Sequence, residues 1–143
     1  MFKGIAKPTL AAFLLLSLLT ACQTNSRDQV LATSESQVAL RSMQSRSFDT
    51  TDKPKTLRTV IATLQDLGFV IDKADATLGT VSGTKLNGYA MRMTVSVRDK
   101  GKTQLIVRAN AQYNLEAIEE PQPYQQFFAA LEKAMFLTAH QVD

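Results

Sequence analysis

Few of the side chains that carry out chemistry in proteins occur in this chain of 143 residues, which has one cysteine and one histidine. A single cysteine excludes an intrachain disulfide and a zinc site built from several thiolates. A nucleophilic serine or cysteine centre would depend on His140 as its base. His140 lies three residues before the end of the sequence, where a cation at a helix C-terminus is the simpler interpretation. We therefore expect a protein that is not an enzyme, and a hydrolase is the least favoured alternative.

The acidic side chains do not form a recognisable ligand motif. Asp66, Asp72 and Asp75 are close in sequence, but their spacing does not match a calcium-binding loop. Helix caps and turns account for Asp72 and Asp75, and Glu119-Glu120 is typical of a solvated connector. The sequence therefore predicts neither a metal ion nor a cofactor.

Three arginines form the one constellation that favours a binding function. Arg92, Arg98 and Arg108, together with Asn110, occupy even positions in two segments where apolar and polar residues alternate. Side chains alternate between the two faces of a strand, so these four residues are predicted to share one polar sheet face, here called the basic face. Such a face can bind lipid headgroups, lipopolysaccharide phosphates or an acidic protein surface; a solvated outer face is the alternative. The face has no aromatic residues on which bases could stack, so nucleic acid is not an expected partner.

The residues before Cys22 have the layout of an export signal. Residues 1–21 carry Lys3 and Lys7 near their start and contain no acidic residue. They continue with an apolar run from Leu10 to Leu19 and end in small residues, as in a secretory signal peptide. The apolar run has about a dozen residues, whereas a membrane span needs about 20. Residues 22–143 carry 14 basic and 13 acidic side chains, so the basicity of the whole chain comes largely from this segment.

The four residues Leu19-Thr20-Ala21-Cys22 resemble the lipobox of bacterial lipoproteins. In proteins with that signal the chain is cleaved before the cysteine, whose thiol carries a diacylglycerol. The resemblance therefore implies that Cys22 is the lipid attachment site, and two or three acyl chains anchor a protein stably. Gln23 does not resemble the aspartate of inner-membrane retention signals, so we expect a lipid anchor in the outer membrane with the protein on its periplasmic face.

The domain organisation follows from these boundaries. Residues 1–21 are the predicted cleaved signal peptide, residues 22–38 the lipidated cysteine with a flexible polar tether, and residues 39–143 a folded periplasmic domain. A coil of about 15–20 residues has a root-mean-square reach of roughly 20–27 Å. The tether is therefore expected to lift the domain clear of the lipid headgroups.

Two segments of the domain have the apolar periodicity of helices. Asp52 and Pro54 are typical of a helix start, and Gly68 suits the position after a helix end. A second helix is predicted to begin near Tyr124, after an acidic connector over 115–123. The apolar stripe of the first helix comprises Leu57, Val60, Ile61, Leu64 and Leu67, and that of the second comprises Tyr124, Phe127, Phe128, Leu131, Met135 and Thr138, both at helical spacing.

Strands are predicted in the segments between these helices. The expected strands are an edge strand within Met43–Phe48, two short strands over 69–78 and 80–86, and two alternating strands over 89–98 and 104–113, with a hairpin turn at Asn87-Gly88. The order β-α-β-β-β-β-α predicts an α+β two-layer sandwich, with an antiparallel sheet of four to five strands and two helices packed on one face.

The pairing of the two alternating strands can be argued from residue parity. Their apolar residues are odd-numbered in both, so odd positions must face odd positions if one face is buried. A three- or five-residue loop, or a bulge at Gly101, would satisfy this rule. The expected pairs are Val97 opposite Leu105, Thr94 opposite Arg108 and Arg92 opposite Asn110.

Two segments carry a family resemblance. Arg46-Ser47-Phe48-Asp49-Thr50 and Leu64-Gln65-Asp66-Leu67-Gly68-Phe69 resemble segments of a family of small, mostly uncharacterised proteobacterial lipoproteins. The succession of helix, glycine, phenylalanine and strand is also similar in layout to the helix-grip domains of the C lipoprotein of the outer-membrane β-barrel assembly machine. Neither resemblance supplies catalytic residues, and both imply an accessory or scaffold role in the cell envelope.

The sequence as a whole thus predicts a non-enzymatic, outer-membrane-anchored lipoprotein that binds a protein partner in an envelope complex. The contact is expected at the edge strand around Met43–Thr50 or at the basic face. A binder of lipid or of a small apolar ligand, held in a cavity gripped by a helix, is the alternative.

Overall fold

The structure is a computed structural model that describes residues 36–86 and 90–140, without the side chains of residues 137–140. The chain divides into two compact units, Met1–Val38 and Ala39–Asp143. The predicted signal peptide, the lipid site Cys22 and most of the predicted tether lie outside the described residues, as does the predicted turn at Asn87-Gly88. The fold described below is that of the second unit, with residues 36–38 of the first unit as the start of its first helix.

The elements have the α+β composition predicted from the sequence. In chain order they are a helix α1 over 36–43, β1 (Ser45–Phe48), α2 (Lys53–Asp66), β2 (Val70–Asp75), β3 (Thr80–Leu86), β4 (Ala90–Lys100), β5 (Gln104–Tyr113), β6 (Glu116–Ala117) and α3 (Pro121–His140). The predicted strands and both predicted helices are present. The helix α1 and the two-residue strand β6 were not expected.

The strands form one antiparallel, six-stranded sheet in the order β1-β5-β4-β3-β2, with β6 also paired to β5. Since β4 occupies one side of β5, β1 and β6 follow one another along its other side. The helices α2 and α3 pack against each other and against the central strands. This is a two-layer sandwich, with one strand more than the four or five predicted.

The core lies between the sheet and the two long helices, as the apolar periodicities predict. Thr56, Thr59 and Thr63 of α2 are also buried. Each of these three hydroxyls donates a hydrogen bond to the carbonyl oxygen four residues earlier, so its burial leaves no donor unpaired. The buried apolar residues of the sheet are Val81, Met93, Val95, Val97, Leu105, Val107, Ala109 and Ala111, and those of α2 and α3 are Leu57, Val60, Leu64, Tyr124, Phe127, Phe128 and Leu131.

Both ends of α2 have the capping groups predicted for them. The Asp52 carboxylate accepts a hydrogen bond from the Lys55 N–H at 2.9 Å. At the other end the Phe69 N–H donates to the Leu64 carbonyl and the Gly68 N–H to the Gln65 carbonyl, both at 2.9 Å, with Gly68 at φ +87°. This is a Schellman cap, which needs a residue that tolerates positive φ.

The pairing of β4 with β5 corrects part of the predicted register. Odd residues face odd residues as predicted, and a three-residue loop follows the pair Lys100–Gln104. The individual pairs are shifted by two residues: Val97 lies opposite Val107 and not Leu105, Thr94 opposite Asn110 and not Arg108, and Arg92 opposite Gln112 and not Asn110. Parity cannot separate these two registers, because both bury the same face. Gly101, at φ +65°, is the first loop residue and allows β4 to continue through Lys100.

The segment predicted as an acidic connector contributes to the core. Ile118 is buried, its N–H donates to the Ala111 carbonyl at 2.9 Å, and α3 begins at Pro121, three residues before the predicted start. Proline is tolerated in the first turn of a helix because the N–H groups there have no intrahelical acceptor. Within the described residues, no helix has both the length and the apolar character required to cross a membrane.

Candidate functional site: an exposed polar sheet face

The polar face of the sheet lies opposite the layer formed by α2 and α3. The even residues of β4 and β5 point to this face, whereas their odd neighbours over 93–97 and 105–111 are buried. Arg92, Arg98, Arg108 and Asn110 are all exposed on it, as the alternation predicts. The structure therefore places all four residues of the basic face on one surface, but it does not bring all four together.

Two of the arginines are neighbours. Arg98 lies opposite Ile106 and Arg108 opposite Ser96, so the two arginines are diagonal neighbours on adjacent strands, roughly 7–8 Å apart at the backbone. Together with Asn110 they line a shallow depression of about 350 Å³ whose other lining residues are Ser96 and Ile106. We call Arg98 and Arg108 the arginine pair.

The arginine pair has no acidic partner within the described part of the chain. Arg108 Nε donates a hydrogen bond to Ser45 Oγ at 3.3 Å. The ion pairs among the described residues join other groups, Arg46 to Glu132 at 3.9 Å and Arg92 to Asp72 at 3.7 Å. Two adjacent guanidinium groups without a carboxylate favour an incoming anion, because guanidinium donors match carboxylate and phosphate oxygens in pairs.

Arg92 differs from the pair because a carboxylate neutralises it. Arg92 Nε lies 3.7 Å from Asp72 Oδ2, and the same oxygen accepts a hydrogen bond from Thr84 Oγ1 at 2.7 Å. The prediction that turns and caps account for Asp72 is therefore wrong, although Asp75 does accept a hydrogen bond from the N–H of Leu78 in the β2–β3 turn. The reason is a register shift in β2 between Ile71 and Lys73, which a single sequence does not reveal.

The edge strand β1, the other predicted contact, is partly tied to its neighbours by side chains. Arg46 lies over the ring of Phe128, 5.2 Å from its centroid, and donates to backbone carbonyls of Ser42 and Ser45. Lys100 Nζ donates to Ser47 Oγ at 2.7 Å. These contacts reduce the freedom of charged groups along this edge, so the edge strand offers fewer unpaired charges than the arginine pair does.

An apolar cleft lies at the opposite edge of the sheet, between α2 and the β2–β3 turn. Its volume is about 230 Å³, and its lining residues include Leu57, Ile61, Ala74 and Val81. Pockets for small ligands usually enclose about 300–1,000 Å³. This cleft by itself is thus smaller than the usual pocket for a small apolar ligand.

Of the residues that the sequence offers for catalysis, the structure describes the carboxylates but not the imidazole of His140. No group of three or more histidine, cysteine, aspartate or glutamate residues is placed to hold a metal ion there. His140 ends α3, but its side chain lies outside the described residues. The alternation places Ser96 and Ile106 on the polar face, but they were not predicted as site residues, because their position beside the arginine pair depends on the register that parity left open.

The fold and this surface define the class of protein as a two-layer α+β domain with one sheet face free for binding. A comparison of the chain with protein-family models and with curated proteins finds no match. The resemblance to small lipoproteins therefore stays a prediction.

Proposed function

We propose that this protein is a lipoprotein anchored through Cys22 in the outer membrane, and that its periplasmic domain binds a protein partner of the cell envelope without catalysing a reaction. The observation that carries the proposal is the arginine pair, exposed on an open sheet face with no acidic partner in the described residues. The partner surface is expected to be acidic.

The chemistry of the pair supports a protein carboxylate as the ligand group. Each guanidinium can donate two parallel hydrogen bonds to one carboxylate, and Asn110 beside the pair supplies both a donor and an acceptor. A flat sheet face with charged and amide groups also suits a protein surface better than a small apolar ligand. Ile106 on the same face adds apolar contact at the centre.

The contact can be tested by in-vivo photocrosslinking from position Thr94, which lies opposite Asn110 on the same face. We expect crosslinks to a defined envelope protein that are lost in the double variant Arg98→Ala/Arg108→Ala, because the charges that attract the partner are removed. Arg92→Ala is the matched control, since Asp72 already neutralises that arginine. Equal crosslinking in the protein without arginine substitutions, the double variant and the Arg92→Ala variant would show that the arginine pair is only solvated surface.

The anchor can be tested separately. Cys22→Ala removes the thiol that the proposal requires for acylation, so the variant is expected to leave the membrane fraction. The folded domain of this variant is expected to be unchanged. Fractionation of cells and metabolic labelling with a fatty acid measure the two effects. Unchanged partition into membranes by the Cys22→Ala variant would contradict lipid anchoring.

A further inference from the structure

Three large aliphatic side chains are strongly exposed at one end of the sheet. Val70 is 73%, Leu86 82% and Leu115 94% exposed. We call these residues the apolar end. The remaining exposed large apolar side chains of the described residues are Val38, Leu78 and Phe136.

The strand pairing places the three residues together. Leu86 ends β3 and pairs with Ala90 at the start of β4, and Leu115 lies in the turn that follows the end of β5. Val70 opens β2 and pairs with Thr84, so Val70 and Leu86 are diagonal neighbours on one sheet face, roughly 7–8 Å apart at the backbone. In this antiparallel sheet, those strand termini all meet at the same end.

Exposure of these side chains leaves apolar area in contact with water. Transfer of that area into an apolar phase is favourable. Val70 and Leu86 lie on the exposed sheet face where the strands end, and Leu115 lies in a turn at the same end. Exposed aliphatic side chains at such an extremity can enter a soft apolar phase. Amphipathic proteins at membranes bury such side chains at the boundary between headgroups and acyl chains.

The short segment between Cys22 and the domain indicates that the apolar phase near the domain is the lipid bilayer. Thirteen residues separate Cys22 from Ser36, where the described chain begins, and a flexible tether of that length, as the sequence predicts, would have a root-mean-square reach of roughly 20 Å. The strand β4 alone has 11 residues and is about 37 Å long. A lipid anchor at Cys22 would thus hold the domain within its own length of the bilayer surface, where a weak apolar contact is continuously available.

We propose that the apolar end inserts its aliphatic side chains into the phospholipid surface to which Cys22 is anchored, and so fixes the orientation of the domain. This inference rests on the anchoring part of the proposed function. Arg92 near the apolar end is paired with Asp72, whereas Lys85 keeps its positive charge while its Nζ donates a hydrogen bond to the Leu67 carbonyl at 2.8 Å. The exposed aliphatic area supplies the driving force for insertion.

The absence of tryptophan from the chain permits a direct test. The full-length, lipidated protein is made with one substitution at a time, Leu86→Trp, Leu115→Trp or Leu78→Trp, and reconstituted into phosphatidylethanolamine–phosphatidylglycerol vesicles that contain brominated acyl chains. Leu78 is the matched control, because it is exposed in the β2–β3 turn at the opposite end of the sheet. Circular dichroism confirms that each variant is folded.

We expect the brominated chains to quench the fluorescence of the Leu86→Trp and Leu115→Trp variants and not that of the Leu78→Trp variant. Adding Leu115→Ser to the Leu86→Trp variant is expected to reduce the quenching, because removal of one buried leucine weakens partition by about tenfold. Equal quenching at all three positions, in protein that floats with the vesicles, would refute insertion of the apolar end. Failure of the unsubstituted protein to float would instead refute the anchor.

Discussion

The hydroxyl of Tyr124 closes a gap in the sheet, and its removal gives the sharpest test of the fold. Pairing of β1 with the edge of β5 ends near Ala109, whose N–H donates to the Gln44 carbonyl, and β6 begins to pair at Gln112. Between them, the Ala111 N–H donates to Tyr124 Oη at 3.2 Å. The hydroxyl itself donates to the Ile118 carbonyl at 2.6 Å and accepts from Gln44 Nε2 at 3.3 Å.

The expected cost of Tyr124→Phe follows from the groups left without a partner. Tyr124 is fully buried, so the substitution would leave the Ala111 N–H and the Ile118 carbonyl without their hydroxyl partner in a place that water does not reach. Each unsatisfied buried group costs about 1–3 kcal/mol. The amide of Gln44 can turn toward one of them, which leaves one group unsatisfied, so we expect a loss of about 1–3 kcal/mol in the free energy of unfolding. For a domain of this size that lowers the melting temperature by about 4–24 °C.

Urea unfolding followed by circular dichroism measures this loss, with an unchanged m-value as the sign that the folded state keeps its compactness. Gln44→Met keeps the length of the Gln44 side chain and removes its amide, so the double variant with Tyr124→Phe is expected to be non-additive. Amide exchange at Ala111 is expected to accelerate. A cost below about 0.5 kcal/mol, with Ala111 still protected, would refute the hydroxyl as the closing group.

Two further predictions concern the core and the turns. Leu64→Ala is expected to cost about 2–5 kcal/mol, because Leu64 is fully buried; urea unfolding measures it, and a value near zero would contradict the facing of α2. Gly79→Ala is expected to lower the free energy of unfolding more than Gly101→Ala, which serves as its control. Both glycines have positive φ, but an added Cβ at Gly79 would lie 2.6 Å from the Val97 carbonyl oxygen, whereas nothing lies within 4 Å of one at Gly101. Gly101→Ala then shows the backbone cost alone, about 1–2 kcal/mol, and equal losses would mean that the turn at Gly79 relaxes.

Local sequence chemistry predicted most of the fold because the deciding interactions are local. The cap at Asp52, the glycine at Gly68 and the alternation in β4 and β5 each depend on a few neighbouring residues, and the structure confirms all of them. The helix α1 was not predicted. The strand β6 was not predicted either, since a two-residue strand carries no periodicity. The register of β4 with β5 was wrong by two residues, because hydrophobic burial is the same in both registers.

The candidate site was predictable in part for the same reason. Parity alone places Arg92, Arg98 and Arg108 on one face. It cannot show that Asp72 neutralises Arg92, because that contact depends on a shifted register in β2. The difference matters for function, since only an arginine without an acidic partner offers its full charge to a ligand.

The distance between the two proposed contact surfaces decides which ligand the arginine pair can reach. Along β4, Arg98 lies eight residues and Arg92 two residues beyond Ala90, or about 27 Å and 7 Å from the apolar end. The field of a charged membrane is screened over about 8 Å at physiological ionic strength. With the apolar end in the bilayer, lipid phosphates would lie beside Arg92, which already has Asp72, and too far from Arg98 to attract it. Loss of a crosslinked protein partner in Arg98→Ala/Arg108→Ala, with unchanged quenching at position 86, is therefore the outcome that both proposals require together.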